Sequence, residues 1–160
     1  MKDENQRKAD LRRTPPEGGQ INRRKAATRN GNFYPMANQS DLMVITKAKN
    51  LSDYILTITQ KSPKQFRFSL VGRLQNYALD IVELLYEAND VFAQDDETRK
   101  ERLSYQHKAM TRLKLLSYVA QVSSEQGAIQ FKQYEQIVAQ VTECERLLGA
   151  WMASARKKMG

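Results

Sequence analysis

The sequence holds one histidine, His107, and one cysteine, Cys144, so any nucleophilic or general-base chemistry would rest on very few groups. His107 lies in the stretch SYQHKAM beside Gln106 and Lys108, which predicts a solvated or interhelical polar residue and not a base poised beside a nucleophile. Cys144 stands between Glu143 and Glu145, and neighbouring carboxylates raise a thiol pKa, so a packed, inert thiol is expected. One histidine and one cysteine cannot close a structural zinc site, and a lone cysteine cannot form an internal disulfide. Asp80, Glu83, Glu87 and Asp90 recur at helical spacing, as in carboxylate-bridged metal sites. Those sites also use Glu-x-x-His units, which are absent here, and a solvated acidic stripe is the expectation. There is no GxxxxGK and no GxGxxG, so nothing in the sequence would cradle a nucleotide phosphate. No catalytic residue, metal or cofactor is expected, and the chain does not read as an enzyme.

The basic residues carry more information. Lys plus Arg number 26 against 18 Asp plus Glu, a net charge of +8, and the pI near 9.6 favours a polyanionic partner such as nucleic acid. The excess is uneven, since residues 1–40 contain 9 basic and 4 acidic side chains and so carry +5 of it. Within that stretch Arg23, Arg24, Lys25 and Arg29 cluster with no acid after Glu17. Further on, Lys64, Arg67 and Arg73 surround the start of a helical pattern with Phe66 and Phe68 interleaved, and Arg99, Lys100, Arg102, Lys108, Arg112 and Lys114 follow on another. Such zones can track a phosphate backbone without reading sequence. Acidic residues such as Glu97 and Glu101 are mixed in, and Arg67 or Arg73 could instead pair with helix carboxylates such as Asp80 or Glu83, so a plain wet helix face stays open as the alternative.

The elements that must position these groups are helical. The 160 residues fit one ordinary domain, 41% are apolar, and 7 Gly with 4 Pro are too few turn residues for a sandwich or barrel. Residues 1–40 include only 10 apolar residues and are broken by Pro15, Pro16, Gly18, Gly19 and Gly31, which predicts a flexible or extended basic arm. From residue 41 the character changes. A first helix is predicted over 41–61, with Ser40 as N-cap and Val44, Ala48, Leu51, Ile55 and Ile58 on one face, stopped by Pro63. A second begins around 64–68 and carries Leu70, Leu74, Tyr77, Ile81, Leu84, Ala88 and Val91 in a sustained 4-3 alternation. A third follows the acidic run at Asp95–Glu97 and reaches about Ser124, with Leu103, Ala109, Met110, Leu113, Leu116, Val119, Ala120 and Val122 on its face. Gly127 breaks the chain before a fourth bearing Phe131, Tyr134, Val138, Val141, Leu148, Trp151 and Ala155. The predicted fold is all-α, an up-and-down antiparallel four-helix bundle over 41–160, because short loops make sequential helices antiparallel neighbours. Tyr54, Tyr77, Tyr86 and Tyr118 offer more aromatic surface than such a bundle need bury, which points to a homo-oligomer, or else to tyrosines with their hydroxyls in water. No run approaches the roughly 20 apolar residues of a membrane span, and the charged opening lacks a secretory core, so no membrane association and a cytoplasmic location are expected.

The blocks KSPKQFRFSLVGRLQNYALDIVELLYEAND (61–90) and KQYEQIVAQVTECERLLGAWMAS (132–154) resemble the accessory variability determinant family of diversity-generating retroelements. That family is a branch of the four-helix-bundle proteins that also includes proteins encoded by intervening sequences in large-subunit ribosomal RNA genes. The similarity spans about residues 41–155, with the PKQFRF approach, Arg73–Asn76, Ala88–Asn89 and Leu147–Trp151 as its most specific parts. The resemblance implies a non-enzymatic partner of a reverse transcriptase. It would be a homo-oligomer, a pentameric ring, whose basic surface engages the enzyme and template RNA or DNA during mutagenic copying. It makes Lys64, Arg67 and Arg73 candidates for that surface, and the arm residues Arg23, Arg24, Lys25 and Arg29 with Arg112 and Lys114 complete the expected nucleic-acid set. The other reading is a structural or adaptor bundle whose charge only keeps it soluble.

Overall fold

Four stretches free of proline alternate with short connectors. The computed structural model describes the backbone of residues 39–159 and the side-chain surroundings of residues 43–159, all of it helical or connecting. Helix α1 spans Gln39–Thr59, α2 Gly72–Asp90, α3 Asp96–Glu125 and α4 Phe131–Lys157. The predicted arm, with Arg23, Arg24, Lys25 and Arg29, lies outside the described residues. Helix α1 starts earlier than expected, at Gln39, so Ser40 falls inside its first turn.

Each boundary has a local cause. After Thr59 the chain turns, and Pro63 leads into a 3-10 turn over Lys64–Phe66 and a π-helical turn over Arg67–Val71. These replace the continuous helix expected from 64 onward. The π turn shifts the register, so Val71 takes the core position at 6% exposure while Leu70 is only half buried. Helix α3 opens on a reciprocal cap in which Asp95 Oδ1 accepts from the Thr98 N–H at 2.8 Å and the Thr98 hydroxyl oxygen accepts from the Asp95 N–H at 3.3 Å. Helix α3 closes on Gly127 at φ 81, from which Ala128 N–H reaches back to Ser123 O at 2.7 Å. Gln130 and Gln133 form a second capping box at the start of α4, and Arg156 and Lys157 face the C-terminal dipole at its end.

Neighbours in sequence are neighbours in space, and α1 closes the ring against α4. Polar bridges show the antiparallel sense, because one index falls as the other rises. Gln75 donates to Thr59 Oγ1 at 2.9 Å and Lys49 to the Tyr86 hydroxyl at 3.1 Å between α1 and α2. Asp80 meets Arg112 and the Ala88 carbonyl meets Arg102 between α2 and α3. The core runs the length of the bundle and includes Leu51, Ile55, Leu74, Ile81, Leu85, Leu113, Leu116, Ile137 and Leu148, each essentially inaccessible to solvent. A side chain of that size contributes about 1.5–3 kcal/mol on burial. The face of α2 is Leu74, Ala78, Ile81, Leu85 and Ala88, one position over from the Tyr77 and Leu84 expected there, which lie half buried on its flank. Phe131, expected in the core, is 62% exposed beside Tyr134. Gln106 and Ser123 are wholly buried polar residues in the core stripe of α3.

Candidate nucleic-acid interface

A helix that buries one face leaves two flanks and an outer surface for function. On the flank of α2 that meets α3, residues one turn apart share a stripe, so Arg73, Tyr77, Asp80 and Leu84 line up. Arg73 lies over the Tyr77 ring at 5.5 Å and donates to its hydroxyl at 3.5 Å. From α3, Arg112 lies over the same ring, also at 5.5 Å. Two guanidinium groups therefore converge on one tyrosine, each held by cation–π attraction. Arg112 Nε is 3.5 Å from Asp80 Oδ2, with the two side chains 41% and 42% exposed. It is an ion pair without hydrogen-bond alignment, since Nε has no hydrogen-bond partner among the described residues.

One turn back on α3, Lys108 lies 5.3 Å from the Tyr105 ring. Leu84, Ser104, His107, Lys108, Thr111 and Arg112 line an open groove of about 510 Å³. His107 Nε2 lies 3.3 Å from Arg156 of α4. Arginine only donates, so that nitrogen accepts and His107 is an interhelical polar residue as expected. The result is a ridge of cations seated on tyrosines, Arg73, Arg112 and Lys108, with Asp80 as a counter-charge to Arg112. Side chains seated in this way present donors to a phosphate at reduced entropic cost.

The remaining candidates fall elsewhere. Lys64 and Arg67 are exposed on the connector between α1 and α2. Arg67 lines a groove of about 310 Å³ with Thr59, Gln60, Pro63 and Gln75, on the α1 side of α2. Arg73 leans to the α3 side, so Lys64, Arg67 and Arg73 are two groups and not one zone. Lys114 follows the buried Leu113, and at about 100° per residue it lies on the flank of α3 opposite Arg112. Arg99 and Arg102 are committed to the fold. Arg99 pairs with Asp96 at 3.0 Å and donates to Gln94 O. Arg102 donates to Ala88 O and Val91 O, which closes the C-terminal end of α2, and lies over Trp151. Lys108 and the tyrosine seats are additions to the expected set. Their sequence signal is Tyr105 to Lys108 at i+3 and Arg73 to Tyr77 at i+4.

Cys144 is fully buried, and desolvation first, then Glu143, pushes its thiol up to about 12. It is a packed residue. Among the described residues no three His, Cys, Asp or Glu side chains converge as metal ligands, and no helix is long and apolar enough to cross a membrane.

No model of a protein family matches the sequence, and no curated protein matches it. Among solved structures the chain is similar to a protein of unknown function from the S23 ribosomal protein family of Bacteroides thetaiotaomicron. The two are 18% identical and superpose with a TM-score of 0.62, over 72% of this chain and 99% of the other. At that identity the likeness shows a shared four-helix-bundle fold.

Proposed function

We propose that this protein is a non-enzymatic accessory of a diversity-generating retroelement, which binds template RNA or DNA electrostatically and engages a reverse transcriptase as a homo-oligomer, a pentamer by family resemblance. The observation that carries the nucleic-acid part is the convergence of Arg73 and Arg112 on Tyr77, continued by Lys108 on Tyr105. The reverse transcriptase and the template rest on the sequence resemblance over residues 41–155. Support for an oligomer comes from Met43, Leu79 and Tyr86, large apolar side chains 43%, 49% and 41% exposed on α1 and α2. The same apolar surface is what an adaptor bundle would use, and that reading predicts no salt-dependent nucleic-acid affinity.

The test is a filter-binding titration of RNA at several salt concentrations. Replacing Arg73 and Arg112 together with alanine removes the phosphate contact of Arg73, since Asp80 neutralises Arg112 in the parent. The salt slope should flatten by about 0.7–0.9, the value of one contact. The lost ion pair should lower the melting temperature by no more than about 4 °C, because a half-exposed pair contributes at most about 1 kcal/mol. Unchanged slope and affinity in a folded double variant would refute the reading. Light scattering tests the oligomer, which a monomer at micromolar concentration would refute.

A further inference from the structure

Phe68 is 96% exposed, a phenylalanine with almost its whole ring in water. The backbone holds it there. Phe66 N–H closes a turn on Pro63 O at 3.1 Å, the chain then winds as a π turn over Arg67–Val71, and Gly72 N–H bonds back to Arg67 O. A Cβ at position 72 would stand 3.2 Å from that same carbonyl, so glycine is what lets the turn close without pressure. Single π turns recur at functional sites because they re-aim side chains. Here the turn sends Val71 inward and leaves Phe68 out.

The chain on either side of the ring is cationic. Lys61, Lys64, Arg67 and Arg73 stand between Asp53 and Asp80, and that stretch has no carboxylate. Lys61, Lys64 and Arg67 are exposed, and none of them is drawn into an ion pair among the described residues. Two open grooves share Ser62 and Pro63 as a wall, one of about 310 Å³ beside Arg67 and Gln75 and one of about 390 Å³ beside Lys61 and Gln133. The Ser62 hydroxyl in that wall is buried and has no hydrogen-bond partner among the described residues. An exposed flat apolar side chain with Lys64 and Arg67 beside it in the chain matches an unpaired nucleotide, whose base stacks while its phosphates are neutralised. A duplex keeps its base faces stacked inside and has no use for the ring. The lack of carboxylates over residues 54–79 also speaks against a basic protein partner.

We propose that the corner between α1 and α2 is a single-strand site, where Phe68 stacks one unpaired base and Lys64 and Arg67 hold the flanking phosphates. The proposal rests on the nucleic-acid reading above and adds the form of nucleic acid preferred.

The experiment measures fluorescence anisotropy of a labelled oligo-U strand and of a labelled RNA duplex of equal length, with the full chain. Stacking on one aromatic side chain corresponds to a loss of about 5- to 150-fold on truncation. F68A should therefore weaken single-strand binding by about ten-fold or more, with duplex binding and the salt slope of single-strand binding unchanged. F68L, apolar but not flat, should fall with F68A. F68W should bind like the parent, and its new emission should be quenched by the strand, whereas the buried Trp151 of the parent should not respond. Melting curves confirm folding, which an exposed side chain does not control. Single-strand binding by F68A equal to the parent overturns the proposal while the Arg73 and Arg112 test still stands. Equal losses for strand and duplex overturn the single-strand preference. A smaller oligomer with unchanged affinity would make Phe68 a contact between copies and overturn it as well. A parent that binds neither probe overturns this proposal together with the nucleic-acid reading.

Discussion

Replacing Gln106 with leucine should make the protein more stable. Gln106 is 0% exposed, on the core stripe of α3 with Leu103, Ala109 and Leu113, and neither its Oε1 nor its Nε2 has a hydrogen-bond partner among the described residues. A buried polar group without a partner costs about 1–3 kcal/mol. Leucine has nearly the same volume, so the exchange removes that cost without opening a cavity and adds apolar burial. A net gain of about 1–3 kcal/mol is expected. For a folded unit of about 120 residues the unfolding entropy is roughly 250 cal/mol/K, so each kcal/mol moves the melting temperature by about 4 °C. The expected rise is then about 4–12 °C by far-ultraviolet circular dichroism. With a urea slope of about 1.5 kcal/mol/M the midpoint should move up by roughly 0.7–2 M. Gln106→Ala separates the two contributions, since it removes the same amide but leaves a void, and it should come out below the leucine variant by about the cost of a small cavity. An unchanged or lower melting temperature for Q106L would refute the reasoning, because it would mean that the amide is hydrogen-bonded in the folded protein. A higher melting temperature with a smaller urea slope would give the glutamine a different task, that of selecting one core packing.

Glycine substitutions should act with opposite signs at two positions. Gly127 has φ 81 with open space around its Cβ position, so Gly127→Ala should cost about 1 kcal/mol of backbone strain and nothing else. Gly149 sits inside α4, also with open space, so Gly149→Ala should stabilise by about 0.5–1 kcal/mol; chemical denaturation of both variants checks the pair. Cys144 should resist iodoacetamide at pH 8 until denaturant unfolds the chain. Burial pushes its thiol up to about 12 from the ordinary value of 9.0, so the folded state holds the proton longer. The stability this gives is full below about pH 9 and is lost as pH rises towards 12, a decline that Cys144→Ala should lack. Asp95 behaves in the opposite sense. The Thr98 hydrogen bonds hold its carboxyl below the ordinary range, so its cap supports α3 at neutral pH and fails as pH falls through the lowered value. The stability difference between the parent and Asp95→Ala should close on acidification.

Four helices could be read from spacing because burial imposes the period. Val44, Ala48, Leu51 and Ile55 have no other way to leave water together. The entry to α2 resisted the same logic, since a π turn is a backbone event and Leu70 and Val71 are both apolar. The π turn, closed by the Gly72 N–H on the Arg67 carbonyl, puts Val71 inward. The site was legible by residue type more than by grouping. Lys64, Arg67 and Arg73 are close in sequence, but which flank of α2 each takes depends on that turn and on the α1 and α3 partners. Arg102 shows the converse, a cation whose role as a cap on α2 comes from a helix that packs beside it. Gln106 had no sequence signal, because a polar residue inside an apolar period reads as a surface position.

Asp80 tests whether the ridge is a binding surface or only an ion pair. Its carboxylate, 3.5 Å from Arg112, is half exposed, a setting in which the pair contributes at most about 1 kcal/mol to folding. A phosphate approaching Arg112 must displace this carboxylate or bear its repulsion, and at about 4 Å in a water-like dielectric that repulsion is on the order of 1 kcal/mol. Asp80→Asn keeps the shape and removes the charge. It should tighten RNA binding by about five-fold and steepen the salt slope by about 0.7–0.9, as Arg112 gains a full phosphate contact. Glu83→Gln is the control. Glu83 is exposed, one turn further along the helix, and has no arginine partner among the described residues. Removing its charge should raise affinity through the general field alone and leave the slope where it was. Equal effects from the two substitutions would mean that only net charge matters and that Arg73, Tyr77 and Arg112 form no contact surface. A steeper slope confined to Asp80→Asn would place a phosphate on Arg112, and the carboxylate that now seats the arginine would then be the group that the nucleic acid replaces.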